Sequence, residues 1–422
     1  MAHEQPPTHP HVRPAGRHGV GISPREVTLP DGHPLLKAFW AAAGIGVLAL
    51  IAAFALIAMR GALSEELAPR FWGAYWTAWL YWATLAVGGL FFVLLHHLTR
   101  AGWSVTVRRL AEHWAATLPL LAVLALPAAF GAGQLFPWMG AEAAHDPLVA
   151  GKRAFLNPAG FYLRSAAVLA VWSLLAWWFR RTSLRQDASG DPGLTRRLQT
   201  VSAPGMVAFA ITLSLAAFDW VMSLDPHWYS TIFGVYVFAG STVGILALLI
   251  LLAIAFERRG PLAGVVTTEH LHDLGKLLFA FVVFWAYIGF SQFMLIWYAN
   301  LPEETVWYRH RLEHGWDKLT IALAVGHFAL PFFFLLSRDV KRRRLPIAAA
   351  AIWLLLMHYV DLYWLVMPAL SPESFRPHWL DLVTLIGVGG CALGAFGWLV
   401  RRPALVPVAD PRLPESLSFE NM

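Results

Sequence analysis

Asp273 and Lys276 stand at the start of an apolar stretch that runs from His272 to Asn300. An ionisable group near hydrocarbon costs roughly 2.5–3.5 kcal/mol on insertion scales, so each needs a partner or a task. On a helix with Lys276 set at zero, Tyr287 falls at about 20°, Tyr298 at about 40°, and Ser291 and Asp273 at about 60°. These five residues make one narrow stripe along the segment, while Gln292, at about 160°, lies off it. One reading is a hydrogen-bonded proton path along an internal face, with Asp273 and Lys276 at its mouth. The other is a surface pair, in which Lys276 snorkels to the interface and bonds Asp273 at i,i+3.

A second group lies deeper in the sequence. His358 and Asp361 are three apart and share a helix face, with Tyr359 and Tyr363 close by. A carboxylate beside an imidazole fixes the ring's tautomer, which suits a proton relay or an acceptor of a hydroxyl proton. A satisfied helix-packing pair is the simpler reading. His327 sits one turn before Pro331. It either joins the His358 group or bonds a carbonyl that the proline leaves free. Two histidines at similar depth also satisfy the minimal requirement for a non-covalent haem. Asp219, in FDWVMSLDPHWYS, is either the mouth of a path or the cap of a neighbouring helix.

The elements that must position these groups are membrane spans. The chain has 422 residues, 58% hydrophobic and 14% charged, against about 25% charged in a soluble domain. The formal charge of +6 does not point to nucleic acid, because the basic residues sit between apolar segments. Cys391 is the one cysteine, which excludes an intrachain disulfide, a C-x-x-C-H haem attachment and a four-cysteine cluster. There is no P-loop and no zinc signature. Residues 1–34 are rich in Pro, His and Gly, lack the apolar core of a signal peptide, and read as a disordered or partner-bound tail. Their histidines (His3, His9, His11, His18, His33) have no metal-site spacing.

Ten segments are long and apolar enough to cross a bilayer: about residues 36–59, 71–95, 114–136, 160–179, 205–224, 231–256, 274–299, 319–337, 346–370 and 378–400. Lys and Arg are roughly threefold more numerous on the side that carries the termini, which places both termini in the cytoplasm. An even number of spans requires the termini to share a side. The expected organisation is an all-α integral membrane protein with one membrane domain over residues 35–400 and a cytoplasmic tail over 401–422. Pro119, Pro127 and Pro331 are expected to disturb their helices. The small residues of GVGGCALGAFGW in the last span are expected to let backbones approach. Arg342, Arg343 and Arg344 read as topology signals and anionic-lipid contacts.

Two long motifs carry a family resemblance: FDWVMSLDPHWYSTIFGVY at 218–236 and HDLGKLLFAFVVFWAYIGFSQFMLIWYANLPEE at 272–304. FLNPAGFYLR at 155–164 and HHLTRAGWSVTVRR at 96–109 add to it. Over residues 34–400 the chain resembles one of the membrane proteins of bacterial alternative complex III, a quinol:cytochrome c (or electron-carrier) oxidoreductase of the inner membrane. The member it resembles is often labelled the second quinone-binding subunit. The resemblance implies a relationship to another membrane protein of that complex, the one that lies beside its iron–sulfur cluster, and to polysulfide-reductase-type membrane anchors. It implies ten helices, the second to fifth and sixth to ninth forming two four-helix bundles, with peripheral helices beside them. It implies that the redox centres are held by partners, an iron–sulfur protein and haem c cytochromes, which fits a chain with one cysteine. In the family the quinol site beside the cluster is attributed to the related membrane protein, and the kind of chain resembled here is credited with proton half-channels and coupling. The resemblance transfers no residue roles. The residues expected to carry protons are therefore those of the helix geometry: Asp219, Asp273, Lys276, Tyr287, Ser291, Tyr298, His327, His358 and Asp361. A quinone site at His358 and Asp361, a structural anchor for the redox subunits, and a stand-alone transporter are the alternatives.

Overall fold

A chain that crosses hydrocarbon must satisfy its own backbone, and helices do this within one segment. The computed structural model describes residues 22–60, 67–140, 143 and 145–421, and no strand occurs among them. Most of the expected N-terminal tail, including His3, His9, His11 and His18, lies outside the described residues. Among the described residues, ten helices are long and apolar enough to cross a membrane. They are α1 Pro34–Met59, α2 Leu67–Leu98, α3 Val105–Leu135, α4 Pro158–Ser189, α5 Gly193–Leu224, α6 Phe233–Arg258, α7 Thr268–Ala299, α8 Asp317–Leu336, α9 Arg344–Leu370 and α10 Trp379–Val400.

Burial orders them. The apolar windows of α2 and α6 are each 89% buried, against 17% for α1, so α2 and α6 form the centre. Contacts run α2–α3–α4–α5–α2 and α6–α7–α8–α9–α6, closing two four-helix rings. The rings join where α2 meets α6 and α9 and where α5 meets α6, while α1 and α10 pair with each other against α2. The α1–α10 seam depends on glycine. A Cβ on Gly46 would lie 2.7 Å from the Cα of Gly390, and one on Gly390 would lie 2.2 Å from the carbonyl oxygen of Ala42. The small residues of the last span thus bring two backbones into contact, as a lipid-solvated helix pair requires.

The prolines act as expected and explain local geometry. The α3 span breaks at Ala116–Thr117, just before Pro119, and passes through a 3₁₀ turn, Leu126–Gly131, that contains Pro127. In α8, Leu323–Ala329 is a π-helix that ends just before Pro331. A π-helical bond from residue 331 would end on the carbonyl of Gly326, but proline has no N–H to donate. Trp353 fills the vacancy, its indole N–H donating to Gly326 O at 2.7 Å.

The segment after α10 packs on the membrane domain. We call this end, where the arm before α1 and the segment after α10 meet, the terminal end: Leu405 N donates to Val27 O at 2.8 Å. The other is the distal end. Asp410 pairs with Arg108. Arg109, fully buried, forms an ion pair with Glu112 at 2.9 Å and hydrogen-bonds Asp187 at 2.8 Å and the carbonyl of Ala404 at 3.2 Å. Further on, the Ser416 hydroxyl donates to Trp103 O at 2.6 Å, and Lys276 donates to Asn421 at 2.8 Å. The segment therefore straps both rings together. Removing one member of a buried ion network leaves the others uncompensated, so Arg109→Ala is expected to destabilise the fold by about 3–5 kcal/mol. Thermal unfolding in detergent, against an exposed Arg196→Ala control, measures it.

Candidate functional site

The polar groups that the structure brings together lie at mid-membrane, inside the second ring where it meets α2. Asp361 of α9 is 2% exposed. Its Oδ1 accepts from the Tyr236 hydroxyl of α6 at 2.5 Å, and its Oδ2 accepts from the Trp285 indole of α7 at 3.1 Å. His358, one turn away and also buried, contacts α2 instead: its Nε2 lies 2.9 Å from Thr84 Oγ1. Thr84 directs its one hydroxyl proton to Tyr81 O at 2.9 Å. The geometry therefore assigns the Nε2–H tautomer to His358, and its Nδ1 is a bare acceptor. His327 of α8 lies face to face with Trp285, ring centroids 4.0 Å apart. Among the described residues, neither ring nitrogen of His327 nor Nδ1 of His358 has a hydrogen-bond partner.

Two glycines of α6 make this arrangement fit. A Cβ on Gly240 would sit 3.4 Å from both Asp361 Oδ2 and His358 Nδ1, so these two atoms face the same patch of backbone. A Cβ on Gly244 would sit 2.6 Å from Leu85 and 2.9 Å from His358 Cδ2. The π-helix of α8 adds a residue to the turn that carries His327, a device common at functional sites.

The polar groups continue from this cluster toward the distal end. The Ser230 hydroxyl donates to Gln292 Oε1 at 2.9 Å, and Gln292 Nε2 donates to Tyr308 Oη at 3.2 Å. Tyr308, in the short helix Pro302–His310, lies within electrostatic reach of Tyr236. Burial pushes its phenol up to about 12, so it stays protonated and able to donate. Arg311 follows, almost fully buried, with the carbonyls of Trp307, Trp364 and Leu365 as acceptors at 3.0–3.2 Å and the Trp307 ring 3.5 Å below. Burial pushes its guanidinium down to about 9, against the opposing pull of Asp225. Next to the cluster on its terminal side, buried residues of α7–α9 are apolar, among them Leu278, Val282, Leu335, Ile347, Ala351 and Leu354, and buried polar side chains return only at the start of α7, with His270, His272 and Asp273. Within the span interior the polar column is thus one-sided.

Several expectations change. The stripe on α7 does not line an internal face of this chain: Tyr287 is 63% exposed and Tyr298 84%. Ser291 donates to its own helix, at Tyr287 O, 2.6 Å away. Lys276 pairs with Asp273 as a surface neighbour would, with Asn421 as its second partner. A helical wheel fixes which residues align, and only packing fixes where they point. His358 and Asp361 share a face as expected, but they bond Thr84, Tyr236 and Trp285 and not each other. His327 joins them and leaves the Pro331 vacancy to Trp353. Asp219 belongs to the other ring, where Arg164 of α4 holds both its oxygens at 2.7–2.8 Å. Sequence reasoning missed Thr84, Tyr236, Trp285 and Tyr308. The Gly240–Gly244 spacing on α6 is the one signal that a neighbour approaches there.

No protein-family model and no curated protein matches the chain. The class that fold and site define is a multi-pass helical bundle with a buried acid, two imidazoles and a one-sided polar column. Tyr236→Phe removes a donor from a buried carboxyl oxygen and is expected to cost about 1–3 kcal/mol. Thermal unfolding of the variant in detergent checks it.

Proposed function

We propose that this chain is a proton-carrying membrane subunit of a quinol-oxidising respiratory complex of the alternative complex III type, in the bacterial inner membrane. One observation carries the proposal: Asp361, at mid-membrane, is held by Tyr236 and Trp285 beside two imidazoles with unpartnered nitrogens. Ionisable groups at this depth face bundle interiors and mark proton routes. The motif resemblance supplies the complex. In this reading haem c and iron–sulfur centres sit in partner subunits, and quinol is oxidised where those centres are.

The chemistry that falls to this chain is proton transfer. A proton reaches Asp361 from the distal column by way of Tyr308 and Tyr236. From the carboxyl it passes across Gly240 to the bare Nδ1 of His358, and His327 offers one further acceptor nitrogen. Each step moves a proton between a donor and an acceptor and changes no redox state. Full burial of His358 and Asp361 favours this role over direct contact with a quinone headgroup. The buried ion network under the segment after α10 favours, as a second reading, a structural anchor that docks redox subunits. Both termini lie in the cytoplasm in this proposal, which makes the distal column the outer half of the route.

Asp361→Asn decides between them. In the intact complex the relay reading expects proton movement coupled to quinol turnover to fall by about a hundredfold, the usual worth of a positioned proton-transfer group. Unchanged proton stoichiometry and rate, with the complex assembled, would leave the anchor reading. Stable purification alone, with substrate flux and without haem or iron, would point to a stand-alone transporter.

A further inference from the structure

At the terminal end, the arm before α1 meets the loops that follow α6 and α10. Arg25, Leu29, Gly260, Pro261 and Arg402 line an open groove there of about 710 Å³. Its wall is fixed: Leu405 N holds Val27 O at 2.8 Å, and the Thr28 hydroxyl closes on Pro24 O at 2.7 Å. Each lining segment lies just beyond the end of a membrane span. The groove therefore sits at headgroup depth.

Charge selects the occupant. Most guanidinium groups nearby are already committed: Arg342 to Glu269, Arg344 to Glu257, Arg108 to Asp410 and Arg412 to Glu415. The expectation that Arg342 and Arg344 contact anionic lipid is weakened by those pairings. Arg25 and Arg402 are exposed and bond no described residue. Glu26 also lines the groove and offsets one of them, which leaves the lining side chains with a positive excess. Arginine forks match phosphate oxygens. Beside the groove runs α1, whose Ile45, Leu48 and Ile51 are 58–68% exposed and offer an apolar track for acyl chains.

We infer that this groove binds a phosphate group through Arg25 and Arg402, and that the phosphate is the headgroup of an acidic phospholipid whose chains lie along α1. The site depends on the membrane fold and not on the respiratory role. The test uses the full-length chain in its native assembly, purified in detergent and titrated with phosphatidylglycerol, phosphatidylcholine or inorganic phosphate. Phosphatidylglycerol is expected to raise the unfolding midpoint of the unaltered protein and of Arg196→Ala. In Arg25→Ala/Arg402→Ala the concentration needed rises on the order of tenfold, as two surface arginines imply. An equal response of the double variant overturns the site. A shift produced by inorganic phosphate alone overturns the lipid source, as does an equal shift with phosphatidylcholine. Should the double variant not fold, native mass spectrometry of Arg25→Gln and Arg402→Gln reads the same answer as phosphatidylglycerol molecules retained per chain, with a loss expected and no loss overturning the site.

Discussion

The close approach of α9 to α6 at Gly240 and Gly244 is the contact on which the interior depends. Lipid tails are as apolar as leucine, so helices in a bilayer gain little by hiding apolar surface from one another. Distance decides the packing instead. Because α6 presents no side chain at these two positions, His358 and Asp361 lie against its backbone. From there Asp361 reaches Tyr236 on the same helix and Trp285 on α7, and His358 reaches Thr84 across the ring boundary. A bulkier α6 would separate His358 and Asp361 from these partners.

The molecule buries guanidinium groups in two different ways. Arg109 is surrounded by Glu112 and Asp187, so its charge is balanced and the assembly is rigid. Arg311 contacts carbonyl dipoles and two tryptophan faces, and Asp225, the carboxylate whose charge reaches it, acts on it without an ion pair. The first arrangement suits a strap that must hold. The second leaves a positive charge whose field reaches Tyr308, in the short helix beside it.

Much of this is legible in the sequence, for definite reasons. Span number and span limits follow from length and apolarity, since the bilayer sets both. The mid-membrane residues His327, His358 and Asp361 stand out because charge there is expensive. Orientation is harder to read. α7 is apolar on nearly every side, so nothing in its sequence says which face meets protein, and the Lys276–Tyr298 stripe lies outside although its alignment suits an interior. Partners are harder still: Thr84 and Trp285 look like ordinary span residues until three other helices arrive beside them. Arg164 reads as a span-edge charge, and only its place opposite Asp219 reveals the pair.

Arg108 and Asp410 meet across 302 residues of chain. At about 5–20 residues per second of synthesis, Arg108 waits on the order of tens of seconds for its partner. During that interval the rest of α3 and α4 to α10 are made in turn while a cluster of cations near the headgroups has less than its full complement of anions. Until then Glu112, one turn along α3, is the anion that Arg108 has within its own helix, so the charge balance of the cluster is completed only when the segment after α10 arrives.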